Sequence, residues 1–174
     1  MKKLIALMLT LVLALSLTGC FGMGQQTSST ADQAVAADVE TYDKDFDGLV
    51  KYITDRNNKS VKSTIFYDIL GAQNGARIVL NSNAYVEVYD FSNVGSATAD
   101  QSAESAEKAR IILEDIKASA EESKDGFGKF SPMENSIEMT AVITDSGKYV
   151  LAWDATRSYD YPKNVATDEL KENW

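Results

Sequence analysis

Hydrophobic positions change period several times along the chain, and each change predicts an element. Residues 4–17 are almost continuously apolar. Residues 21–38 are small and polar with no period, so a flexible tether spanning roughly 25 Å is expected there. Phe46, Leu49, Val50 and Ile53 then recur at helical spacing, Asp43 is placed to cap that helix, and the segment Arg56-Asn57-Asn58-Lys59-Ser60 ends it. Residues 64–70 are apolar and fit a short helix or a strand; Gly71 suits the position after a helix, which favours the helix. Residues 76–80 and 84–91 are rich in β-branched and aromatic side chains, with Asn81-Ser82-Asn83 as the turn, and predict a hairpin. Residues 97–124 lack Gly and Pro and repeat Ala106, Ala109, Leu113, Ile116 and Ala120 at spacings of three or four, beside Ile112. They predict a long amphipathic helix with a narrow stripe, closed by Gly126 and Gly128. Residues 136–144 alternate, with Ile137, Met139, Ala141 and Ile143 on one face. Asp145-Ser146-Gly147 turns the chain into a partner strand at 148–153, and residues 165–174 predict a last short helix.

The expected fold is therefore α+β. Two hairpins supply an antiparallel sheet of about four strands, packed against the long helix, with short helices near both ends of the domain. The chain of 174 residues divides into residues 1–19, residues 20–38 and a single domain at 39–174.

The first segment has a basic start, Lys2-Lys3, and an apolar run of 14 residues, too short to span a bilayer comfortably. It has the form of a secretory signal peptide. The run closes in Leu17-Thr18-Gly19-Cys20, which resembles the lipobox of bacterial lipoprotein precursors. That resemblance implies a diacylglyceryl group on the Cys20 sulfur, cleavage before Cys20, and anchoring on the extracytoplasmic face of the cell membrane. Two acyl chains hold a protein stably where one is marginal. A second resemblance rests on Ile69-Leu70-Gly71-Ala72-Gln73-Asn74-Gly75, on residues 86–91 and on residues 145–151. These are similar to small uncharacterised lipoproteins of Gram-positive bacteria; that similarity implies a single plasma membrane and no particular activity.

Composition narrows the chemistry. The chain has no histidine and one cysteine, which removes the commonest general base, an internal disulfide and Cys-rich zinc sites. The net charge is −9; without residues 1–19 there are 15 basic against 26 acidic side chains, a net charge of −11. Nucleic acid is thus not expected as a partner, and electrostatic adhesion to anionic lipid is disfavoured.

Three motifs invite a functional reading. Asp43-Lys44-Asp45-Phe46-Asp47-Gly48 matches the start of a calcium loop, but Thr54 stands where the bidentate Glu belongs and Lys51 is of the wrong charge, so helix capping is expected and no metal. Gly71 to Gly75 lacks the Lys and Ser/Thr of a phosphate loop and reads as a connection. Tyr85, Glu87 and Tyr89 share one face of a strand, in line with Phe91, and Tyr149, Leu151 and Trp153 share a face of another. Aromatics around one carboxylate make Tyr85, Glu87 and Tyr89 the candidate ligand-contacting residues. Tyr159-Asp160-Tyr161-Pro162 fits a packed turn or a recognition loop, and the acids between Glu104 and Asp125 fit the solvated face of the long helix. With no catalytic constellation and no cofactor motif, a membrane-tethered binding or interaction module is expected rather than an enzyme. The alternatives are a carboxylate-based hydrolase of an envelope polymer and an accessory subunit of a membrane complex.

Overall fold

A computed structural model of the chain describes residues 38–57, 61–80, 84–94, 102–133, 136–157 and 164–174. The expectations placed on residues 1–37, on the turn at 81–83, on residues 97–101 and on Tyr159 to Pro162 lie outside the described residues.

The fold is α+β with one antiparallel sheet, as the period changes predict, but the sheet has six strands. They are β1 (Val61–Thr64), β2 (Asn74–Val79), β3 (Tyr85–Asp90), β4 (Gly128–Phe130), β5 (Met139–Ile143) and β6 (Tyr149–Trp153), in the spatial order β1-β2-β3-β6-β5-β4. The two expected hairpins, β2–β3 and β5–β6, form the middle of the sheet and meet where β3 pairs with β6. Each gains an outer strand that its pattern did not announce.

Helices cover both faces. α1 (Phe46–Arg56) and α3 (Asp168–Asn173) lie over one face, burying Leu49, Val50, Tyr52, Ile53 and Leu170 against Ile78, Val86, Val88, Leu151 and Trp153. α2 (Ala103–Glu122) lies over the other and buries Ala109, Leu113 and Ile116 with Tyr89, Phe91, Val150 and Ala152. The central strands β3 and β6 are thus covered on both sides, and their apolar residues run almost without interruption.

Local details correct three expectations. α1 is capped by Asp45, not Asp43: the Gly48 N–H donates to Asp45 Oδ1 at 2.8 Å, while the Asp43 carbonyl passes so close to Gly48 that a Cβ there would lie 1.9 Å from it. Residues 64–70 are not one helix. Thr64 ends β1, residues 65–67 run on without regular structure, and only Asp68–Leu70 form a 3-10 turn, closed by Gly71 at φ +73° as expected of that glycine. Ile137 precedes β5 and is exposed, so the buried stripe of that strand begins at Met139.

Candidate functional site

Strand alternation and register build the site. In β2–β3, Arg77 stands directly opposite Glu87 and Gly75 opposite Tyr89; β6 places Ala152 on the other side of Glu87. Tyr85, Glu87 and Tyr89 consequently share the α2 face of the sheet, as their spacing requires. α2 packs over β4, β5 and the 3-10 turn, leaving the β1–β2 side of that face to the segment around Phe66 and to Pro132 and Met133. Between these covers and the sheet lies a cleft of about 560 Å³.

Its floor is polar and buried. Glu87 is 3% exposed and Tyr89 2%. The Arg77 Nε–H donates to Glu87 Oε1 at 2.9 Å, and Nη2 donates to the same oxygen. The Tyr89 hydroxyl donates to Glu87 Oε2 at 2.6 Å. Both carboxylate oxygens are therefore engaged, which offsets part of the desolvation penalty an isolated buried carboxylate would carry. The Arg77 guanidinium also lies over the Tyr85 ring, 4.5 Å from its centroid. Tyr89 packs edge-on against Phe130 with ring centroids 5.3 Å apart. Gly75 opposite it lets Tyr67 close over the floor, since a Cβ there would come within 2.8 Å of the Tyr67 Cβ.

The electrostatics follow from this packing. Burial pushes the Tyr89 phenol far above its ordinary value, and the charge and hydrogen bond of Glu87 push it further. Tyr85 is raised by burial first and by Glu87 second. Burial alone would lower Arg77, but its hydrogen bond and charge contact with Glu87 outweigh that and raise it. The floor thus holds a fixed cation, a carboxylate with both oxygens committed, and a phenol that keeps its proton.

The rim is of the opposite character. Phe66 is 81% exposed and Met133 55%, and Ile69 is also an exposed apolar side chain at the mouth. Ser63 and Thr64 of β1 form one wall, and Asp68 adds a second carboxylate to the lining. An apolar cleft with a few convergent polar groups is the usual form of a small-ligand or peptide-side-chain site.

Of the three residues picked out by alternation, Glu87 and Tyr89 line the cleft, and Tyr85 supports it from beneath Arg77. Arg77 was missed. Its signal was a charged residue inside an apolar run; its place opposite Glu87 comes from the β2–β3 register. Tyr149, Leu151 and Trp153 also share a face, but it is the opposite one, where they are core. In the acidic motif Asp45 caps α1 and Asp47 pairs with Lys62 at 3.8 Å. Among the described residues no three metal-ligating side chains converge, and no helix is long and apolar enough to cross a membrane. Cys20 lies outside the described residues. Comparison with protein-family models, with curated proteins and with solved structures finds no match.

Proposed function

We propose that this chain is a lipid-anchored, extracytoplasmic binding module that takes its ligand in the cleft over Arg77, Glu87 and Tyr89. The anchoring half of the proposal is supported by Lys2-Lys3, the apolar run and Leu17-Thr18-Gly19-Cys20. The binding half is carried by one observation: a buried Glu87–Tyr89 pair, with the half-exposed Arg77 bonded to the same carboxylate, at the bottom of a cleft whose mouth exposes large apolar side chains. Burying ionised groups is costly even when they are paired, and a hydrophobic floor would hold the sheet at least as well. A polar floor instead supplies direction: the Arg77 side chain is 43% exposed and has N–H groups beyond the two that Glu87 accepts.

Two measurements test the halves separately. Intact mass spectrometry of the membrane-extracted protein should find residues 1–19 gone and a diacylglyceryl mass present, lost in Cys20→Ala; an uncut or unlipidated wild type refutes the anchor. A thermal-shift screen of envelope-derived small molecules and peptides should yield ligands whose stabilisation disappears in Arg77→Met and Tyr89→Phe. Ligands that stabilise all three proteins equally would refute the cleft as their site.

A second reading, a carboxylate-based hydrolase, is favoured by the presence of Asp68 and Glu87 in the same cleft. Turnover of an envelope glycan that vanishes in Asp68→Asn would establish it, and unchanged turnover in that variant would end it.

A further inference from the structure

We infer that the occupant of the cleft is an extended basic peptide that joins the sheet along β1 as an additional strand. This rests on the reading of the cleft as the ligand site and names the ligand's class.

The two edges of the sheet are treated differently. At the β4 edge α2 lies alongside, and the Lys129 backbone N–H donates to Ser119 Oγ at 2.8 Å, so a helix side chain occupies the outer donor. Pro132 follows two residues beyond the end of β4. At the β1 edge no such cover is present among the described residues: no backbone hydrogen bond reaches residues 61–66 other than the ladder to β2. Lys62, Ser63 and Thr64 are all exposed. Lysine on an edge strand discourages pairing, but Lys62 points to the α1 face, where it meets Asp47. An open row of N–H and C=O groups is a template for an added strand.

The cleft adjoins that template. Register places Ser63 beside Arg77 on the α2 face. A strand added outside β1 lies about 4.8 Å further out. Its alternate side chains therefore project over the cleft, with only the small Ser63 between them and Arg77. Phe66, Ile69 and Met133 offer apolar contact. Charge selects the rest of the peptide. Arg77 is paired with Glu87, and among the described residues Asp68 is the charge of the cleft without an ion-pair partner, on a chain of net charge −9. The exposed aromatic Phe66 adds a surface for a cation. The fitting sequence alternates apolar and basic residues on one face.

The probe is a pool of end-blocked heptapeptides, Thr-Xaa-Thr-Lys-Thr-Xaa-Thr with Xaa apolar, titrated into the purified full chain. Binding is followed by anisotropy and by hydrogen exchange of residues 61–66. Saturable binding with protection of those amides is expected. N-methylation of one alternating set of peptide amides should abolish it and methylation of the other should not, since only one set faces β1. Replacing Lys by Glu should weaken binding at least about tenfold. Binding that survives both methylated sets, or no saturable binding by the pool, overturns the inference. So does protection of residues 61–66 without peptide in a sedimenting dimer, because the edge then belongs to a second copy. If the pool fails while other ligands still stabilise the protein in an Arg77-dependent way, strand addition falls and the cleft reading stands.

Discussion

Two glycines with the same backbone angle separate conformational strain from close packing. Gly71 and Gly147 both sit at φ +73°. A Cβ on Gly147, in the β5–β6 turn, would meet nothing within 4 Å, whereas one on Gly71 would lie 2.1 Å from the Ser105 carbonyl oxygen of α2. Gly147→Ala should therefore cost only the left-handed penalty, about 1 kcal/mol. Gly71→Ala should cost about 3 kcal/mol or more, because the 3-10 turn must also back away from the helix. Urea unfolding of both variants checks this; equal losses would mean that α2 does not seat against the turn. Gly71 was legible as an element end because its physics is local. The shared face of Tyr85, Glu87 and Tyr89 was legible for the same reason: strand alternation needs no partner. Arg77 depends on a register between strands, and Asp45 displaces Asp43 as the cap through the path of the backbone past Gly48, which no residue preference encodes.

Elements with a buried stripe were legible, and those without one were not. The α1 and α2 stripes and the central strands carry their apolar periods openly. β1 presents Lys62, Ser63 and Thr64 to solvent, and β4 has only three residues, one a glycine. An edge strand is specified by its neighbour more than by its own composition. The helix α3 shows how a short element acquires weight through a single side chain beyond its end. Trp174 lies 5.2 Å from the Tyr52 ring, sits beneath the Lys44 ammonium at 4.2 Å, and donates from Nε1 to the carbonyl of Asp45, the residue that caps α1, at 3.1 Å. Trp174→Ala should destabilise the domain by about 3–5 kcal/mol through lost packing. Trp174→Phe, which keeps a ring and loses the donor, should cost about 1–2 kcal/mol, since the Asp45 carbonyl is left without that partner. Denaturant midpoints measure both, and a harmless Trp174→Ala would show that α3 is not fastened to the start of α1.

At the scale of the whole molecule, what the sequence withheld was which side each helix covers. Val86 and Val88 face α1 while Tyr89 and Phe91 face α2, so both faces of β3 are covered and neither announces its partner. The same two-sided burial gives the domain an alkaline limit. Tyr52, Tyr85, Tyr89 and Tyr149 all have phenols raised above their ordinary value, each by burial first. In the unfolded chain these phenols ionise near pH ~10. The folded state keeps its protons there, so above that pH the unfolded state binds fewer protons than the folded one. Their contribution to stability is therefore complete below pH ~10 and declines as pH rises beyond it. Each such group adds a slope of up to about 1.4 kcal/mol per pH unit. Tyr89 should ionise last, because it carries both deep burial and the Glu87 charge. Phenolate absorbance and circular dichroism, recorded together from pH 8 upward, should show the buried tyrosines ionising only as the fold is lost. Tyr89→Phe should lower stability at neutral pH, by leaving Glu87 Oε2 without its donor, and flatten the alkaline slope by about one proton. A Tyr89 that ionised near pH ~10 with the fold intact would place it in water and remove the buried floor on which the cleft depends.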